Sequence, residues 1–132
     1  MRIIIAGSRS ITNYLMVKGI IEATLKQHNL PVTEVVSGMA KGVDSLAVDW
    51  AKEVGIPVKP FPANWQNFSE PCVIKTRRDG NKYNALAGFN RNLQMALYAE
   101  ALIAIWTGSS HGTGNMVKIA REYGLRVFSK VI

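Results

Sequence analysis

The stretch Ala104-Ile-Trp-Thr-Gly-Ser-Ser-His-Gly-Thr-Gly-Asn-Met-Val-Lys-Ile-Ala120 decides how the rest of the chain is read. The apolar run Ala101–Trp106 reads as a buried strand. It breaks into Thr107, Gly108, Ser109, Ser110, His111, Gly112, Thr113 and Gly114. The pattern beyond predicts a helix over about residues 114–123, with Met116, Ile119, Ala120 and Tyr123 on its buried face and Gly124 as its cap. A strand, a turn rich in glycine and hydroxyls, and a helix together present backbone N–H groups and a helix N-terminus to an anion.

The same alternation runs backward through the chain. Arg2-Ile-Ile-Ile-Ala6 is a β-branched run of the kind buried on both faces of a parallel sheet, and it ends in Gly7-Ser8-Arg9. A helix follows over about residues 13–28, its stripe Val17, Ile20, Ile21, Thr24 and Leu25. Residues 33–37 read as a second strand, which enters Gly38-Met-Ala-Lys41-Gly42-Val-Asp44. The next helix carries Val43, Leu46, Ala47, Trp50, Ala51 and Val54, and stops at Gly55 before Pro57. Residues 57–61 make a short strand whose two prolines suit a sheet edge. Residues 62–86 read as an inserted or mobile loop with the basic cluster Lys75, Arg77, Arg78 and Lys82. A third helix opens near Gly88 with Leu93, Ala96, Leu97 and Tyr98 as its stripe, and residues 125–131 are the last strand. With no hairpin signal read, the order predicts one α/β domain over residues 1–132. Its architecture is a Rossmann-like three-layer sandwich around a parallel five-stranded sheet, strand order 3-2-1-4-5.

Composition agrees with a globular chain: 48% hydrophobic and 19% charged. No apolar run approaches the roughly 20 residues that span a bilayer. The first residues read as a strand and not a signal peptide, so a cytoplasmic location is expected. The single cysteine, Cys72, excludes an internal disulfide and a cysteine-based zinc site, and no metal or cofactor is expected. The net charge of +7 suits an anionic ligand or nucleic acid, and equally serves solubility.

In the predicted order, the strand order reverses between the first and fourth strands, where ligands bind in such sheets. Three glycine-bearing turns converge there: Gly7-Ser8-Arg9, residues 38–44 and residues 108–114. Each glycine alone also serves a tight turn. Neither G-x-x-x-x-G-K-[ST] nor G-x-G-x-x-G after the first strand occurs, which argues against a P-loop NTPase and a dinucleotide dehydrogenase. Arg9 can clamp phosphate or stand in solvent. Asp44 can bind a ribose hydroxyl or merely cap its helix. Lys41 can reach phosphate. Arg91 and Asn92 fall in the first helical turn, where a cation opposes the macrodipole and an anionic partner would explain it. Ser109, Ser110 and Thr113 are hydroxyl donors beside glycines, and His111 is a possible acid or base. Trp50 and Trp106 read as core, whereas Trp65 can stack on a base or anchor its loop.

These residues carry a family resemblance. Gly7-Ser-Arg9, Ser37-Gly-Met-Ala-Lys-Gly42-Val-Asp44, Pro62-Ala-Asn-Trp65, Gly88-Phe-Asn-Arg91-Asn92-Leu-Gln-Met95 and Gly108-Ser-Ser-His-Gly112-Thr113-Gly-Asn-Met116 resemble the SLOG superfamily. The match is best to its small YspA-like, cpYpsA-related bacterial and phage branch. LOG phosphoribohydrolases, the possible lysine decarboxylase family and the DNA-processing protein DprA are similar at greater distance. The resemblance implies a Rossmann-like fold with a pocket for nucleotides or their derivatives. In LOG enzymes an Arg and a Glu after a G-G-x-G-T loop cleave the N-glycosidic bond. Arg91 and Gly112-Thr113 match that pattern, but Gly114, Asn115 and Met116 stand where the Glu is expected. An oxocarbenium-like transition state needs a carboxylate, so hydrolysis loses its main support. Asn64 replaces the branch's usual Asp, and the segment 68–82 is longer than usual.

The expectation is a receptor for a phosphate-bearing nucleotide or ADP-ribose-like ligand, acting as sensor or sequestering module. In a phage, that would suit capture of a defence signal. The ligand would contact Gly7, Ser8, Arg9, Gly38, Lys41, Gly42, Asp44, Arg91, Asn92, Gly108, Ser109, Ser110, Gly112, Thr113 and Gly114. One alternative is a nucleoside monophosphate phosphoribohydrolase using Arg91 with Asp44 or His111. Another is a DprA-like single-stranded nucleic-acid binder using the basic cluster at residues 75–82. Apolar residues on two faces of the last two helices (Met95, Leu97 and Tyr98; Met116 and Val117), with the habit of relatives, predict a homo-oligomer, dimer or tetramer.

Overall fold

The computed structural model describes residues 1–132. Its elements are β1 Arg2–Gly7, α1 Tyr14–Gln27, β2 Glu34–Ser37, α2 Val43–Val54, β3 Val58–Pro60, β4 Ile74–Thr76, β5 Lys82–Asn84, α3 Ala87–Tyr98, β6 Ala101–Trp106, α4 His111–Glu122 and β7 Arg126–Val131. Five strands form a parallel sheet in the order β3-β2-β1-β6-β7. Counting only these five, this is the predicted 3-2-1-4-5 order of a Rossmann-like α/β fold.

The β-branched run of β1 is central because both of its faces are apolar. Ile3 and Ile5 point toward α1 and α2, where they pack with Val17, Ile21, Ala47 and Trp50. Ile4 and Ala6 point the other way, among Met95, Ala96, Met116 and Ala120 of α3 and α4. The isoleucines at 3, 4 and 5 are almost wholly buried. Each contributes on the order of 1.5–3 kcal/mol by leaving water. The proline-bearing β3 is at one sheet edge, as its sequence requires, and β7 is at the other.

Local signals explain the helix ends. Asn13 caps α1, its side chain accepting from the Met16 N–H at 3.1 Å. Gly55 ends α2 in the left-handed conformation, φ +77°.

Three expectations need correction. Residues 62–86 are not all irregular: β4 and β5 pair antiparallel into a hairpin. Its turn is marked by Asp79-Gly80, with Gly80 at φ +88° and its N–H donating to the Arg77 carbonyl at 3.0 Å. Asn84, fully buried, ties the hairpin to its flanks. Its Nδ2 donates to the carbonyls of Asn67 and Pro71, and its Oδ1 accepts from the N–H groups of Val73 and Leu86.

Secondly, both C-terminal helices begin earlier than predicted. Ser110 is the N-cap of α4, its side chain accepting from the Thr113 N–H at 3.5 Å, so Gly112, Thr113 and Gly114 belong to the first turn. α3 starts at Ala87, which moves Arg91 and Asn92 into its second turn and removes the macrodipole argument for them.

Thirdly, Leu97, Tyr123 and Val54 are exposed although the periodicity put them on buried stripes. Met95, Met116 and Val117 lie in the core, which withdraws them as evidence of a second apolar face.

Candidate functional site

β1 and β6 are neighbours, yet β1 leads through α1 to β2 on one side and β6 through α4 to β7 on the other. The reversal opens a crevice beyond their carboxyl ends. Gly7 lets the walls meet there: a Cβ at this position would overlap the Ile105 carbonyl oxygen and lie 2.7 Å from Val43. Gly42, at φ +75°, lets the α2 loop approach the backbone of Ser8 and Arg9. The Val43 N–H accordingly donates to the Ser8 carbonyl at 3.3 Å. The Ser8 hydroxyl is buried and accepts from the Thr107 N–H at 3.1 Å, so it ties β1 to the β6 loop.

The crevice is an open cleft of about 140 Å³. Of the residues singled out in the sequence, Gly7, Arg9, Asp44, Arg91, Asn92, Ser110, Gly112 and Thr113 line it. Gly38 borders an adjacent cleft with Arg9 and Arg91. Lys41, Gly108, Ser109 and His111 are exposed and outside the cleft wall, and Gly114 leans on the Trp106 ring. Ser8 and Gly42 shape the wall from behind and do not line it. Sequence reasoning missed the floor, made by Ala6, Ala40, Met95 and Met116. Small and apolar residues there carry no chemical signature; strand and helix register place Ala6, Met95 and Met116, and the β2–α2 loop places Ala40.

Arg91 dominates the chemistry. Its Nε donates to Asn92 Oδ1 at 3.0 Å, and its Nη1 to the carbonyls of Gly38 and, at 3.4 Å, Phe61. Nη2 makes no hydrogen bond within the chain. Gly38 is required beneath it, since a Cβ would come within 2.6 Å of Nη1 and 2.9 Å of Asp44 Oδ2. Asn92 in turn donates to Asn115 Oδ1 at 2.9 Å and to the Gly112 carbonyl at 3.4 Å, joining α3 to the first turn of α4.

Asp44 is buried and accepts from the Ala40 N–H at 3.3 Å. Burial pushes its carboxyl above the usual range, opposed by the N–H groups of Ala40 and Gly7 and by the charges of Arg91 and Arg9. Burial likewise lowers the pKa of Arg91; Asp44 counteracts this and Arg9 adds to it. Mutual attraction does not offset desolvation for either group, because they face each other without an ion-pair contact. The ion pairs of the chain are Arg2–Glu100 and Lys18–Glu53. Arg9 adds a second guanidinium to the cleft, and the first turn of α4 adds backbone N–H groups that lack helical partners. The result is a cleft with two cations and a helix N-terminus against a single carboxylate.

No group of His, Cys, Asp and Glu side chains is placed to hold a metal ion. No helix is long and apolar enough to cross a membrane.

No curated protein sequence gives a significant match to the chain. Among solved structures, the X-ray structure of DNA processing protein A (DprA) from Streptococcus pneumoniae is similar, with a TM-score of 0.68 at 20% identity. The likeness covers 97% of this chain and 49% of that one, so this chain spans about half its length; at that identity the likeness is one of fold. The profile of the YAcAr family, the YspA, cpYpsA-related SLOG family, matches residues 1–68, more than half of the sequence. That match takes in β1, the residue 38–44 turn and Trp65, and on it the chain belongs to the YspA, cpYpsA-related SLOG family.

Proposed function

We propose that the protein binds a phosphate-bearing nucleotide or ADP-ribose-like ligand at the C-terminal edge of the sheet, as a sensor or sequestering module. Arg91 carries this reading. Its guanidinium is half-buried, is held by two carbonyls and a side-chain amide, leaves Nη2 without a partner in the chain, and belongs to a residue lining a cleft that also receives the N-terminus of α4. A desolvated cation with an unused donor favours an anion over water.

A thermal-shift panel of nucleoside monophosphates and ADP-ribose tests this. A ligand at about a hundred times its Kd stabilises by roughly 2.7 kcal/mol, enough to move the midpoint several degrees. Arg91→Ala should abolish the shift. An unchanged shift in that variant would remove Arg91 from the site.

Two other readings have an observation behind them. Asp44 is the one carboxylate lining the cleft, which keeps a phosphoribohydrolase in play. Free base released from nucleoside monophosphates would establish it, and none at high protein concentration would eliminate it for those substrates. The hairpin exposes Lys75, Arg77, Arg78 and Lys82, which suits single-stranded nucleic acid. That reading requires binding that falls steeply with salt.

A further inference from the structure

Three clefts lie in a row along the mouth of the sheet. The first is the cleft at Arg91. The second, about 160 Å³, includes Arg9, Gly38, Trp65 and Arg91 in its walls. The third, about 330 Å³, is lined by four residues only: Arg9, Trp65, Arg77 and Tyr83. Arg9 borders all three, Arg91 the first two and Trp65 the last two. The shared residues make the three clefts neighbours, between the α4 N-terminus and the hairpin.

The third cleft has an unusual lining, two aromatic rings and two guanidinium groups. Trp65 and Tyr83 meet edge to face, with centroids 6.3 Å apart at 67°. They form a corner and do not close into a stack, and Trp65 is half-buried with part of its ring on the cleft. Arg77 covers the other partner, its guanidinium 4.5 Å from the Tyr83 centroid. The corner is held in place by backbone and side-chain bonds. The Asn84 N–H donates to the Trp65 carbonyl at 2.6 Å, and Gln66 Nε2 donates to the Lys82 carbonyl at 3.2 Å.

We infer that this corner is a subsite for a purine base, guanine in preference to adenine, so that a bound nucleotide has its phosphate at Arg91 and its base on Trp65. The inference rests on the phosphate reading above and names the rest of the ligand. Aromatic faces stack any base. The edge preference comes from the guanidinium groups, which donate and never accept. Guanine offers two adjacent acceptors, O6 and N7, to such a fork, whereas adenine sets a donor, the N6 amine, beside N7.

Calorimetry with ribose 5-phosphate, AMP and GMP separates the two readings. Ribose 5-phosphate reports the phosphate site without a base. Wild-type protein should bind GMP about tenfold or more tightly than ribose 5-phosphate, and more tightly than AMP. Trp65→Ala should erase the advantage of GMP over ribose 5-phosphate, Trp65→Phe should keep most of it, and Arg77→Gln should level GMP with AMP. If Trp65→Ala does not fold, the other two variants decide. Equal affinities for GMP and ribose 5-phosphate in the wild type would overturn the subsite while leaving the phosphate site standing. So would an advantage that survives Trp65→Ala, or a parallel loss for both ligands, which is what a loop anchor would give. Equal binding of AMP and GMP would overturn the preference for guanine. Absence of binding by every phosphate ligand would sink the phosphate reading and this one with it.

Discussion

Asp44 shows how one side chain can oppose its own fold. Its burial raises its pKa above that of the unfolded chain, so the native state holds the proton more tightly. The contribution of this group to stability is therefore most favourable at acid pH and turns unfavourable as pH rises from about 3.9, the ordinary carboxylate value. Urea unfolding of wild type and Asp44→Asn should show the wild type losing stability relative to the variant between about pH 3.5 and pH 7. A difference that does not change with pH would mean that the native carboxyl titrates normally. At this scale the sequence was legible wherever chemistry is local to a motif. Arg9, Asp44, Arg91 and Thr113 all reach the cleft. It was not legible for Ser8 and Lys41, because a hydroxyl turned to Thr107 and an ammonium turned to solvent look the same in a sequence as ligands.

Between elements, backbone approach decides what can be changed. Gly42 is held at φ +75°, and any side chain there would strike the backbone of Ser8 and Arg9. Gly42→Ala should therefore destabilise by at least about 1–3 kcal/mol in denaturant unfolding, from the left-handed conformation alone. Gly112 has open space around it, and Gly112→Ala should leave stability unchanged or slightly raised, since alanine favours a helix. Equal effects at the two positions would refute the close approach. The long elements were readable from periodicity because each buries a continuous stripe or a whole strand. The hairpin was not: its strands are three residues each, too short to show alternation, and only Asp79-Gly80 announced it. The start of α4 was misread because two glycines weaken its first turn; the Ser110 cap and the packing of Gly114 against Trp106 override that propensity.

For the whole molecule, the question is what covers α3. Phe89 and Leu97 are exposed and Leu93 is half-buried, and their spacing of four puts them on one side of the helix. A second copy of the chain covering this stripe gives a dimer. Light scattering should then report a mass above the 14.5 kDa of one chain, and Leu97→Glu should return it to that value. A wild-type mass of one chain would dispose of the dimer. The parallel order, and with it the place of the cleft at its reversal, was readable from alternation, whereas subunit contacts were not, because Met95, Met116 and Val117 proved to be core. The buried Asn84 knot has a practical consequence at this scale. It fixes the root of the hairpin through backbone groups of residues 67, 71, 73 and 86, and asks nothing of the tip beyond Arg77, residues 78–81. The tip is thus a place where sequence can diverge, or be redesigned, while the sheet and the Arg91 cleft stay as they are.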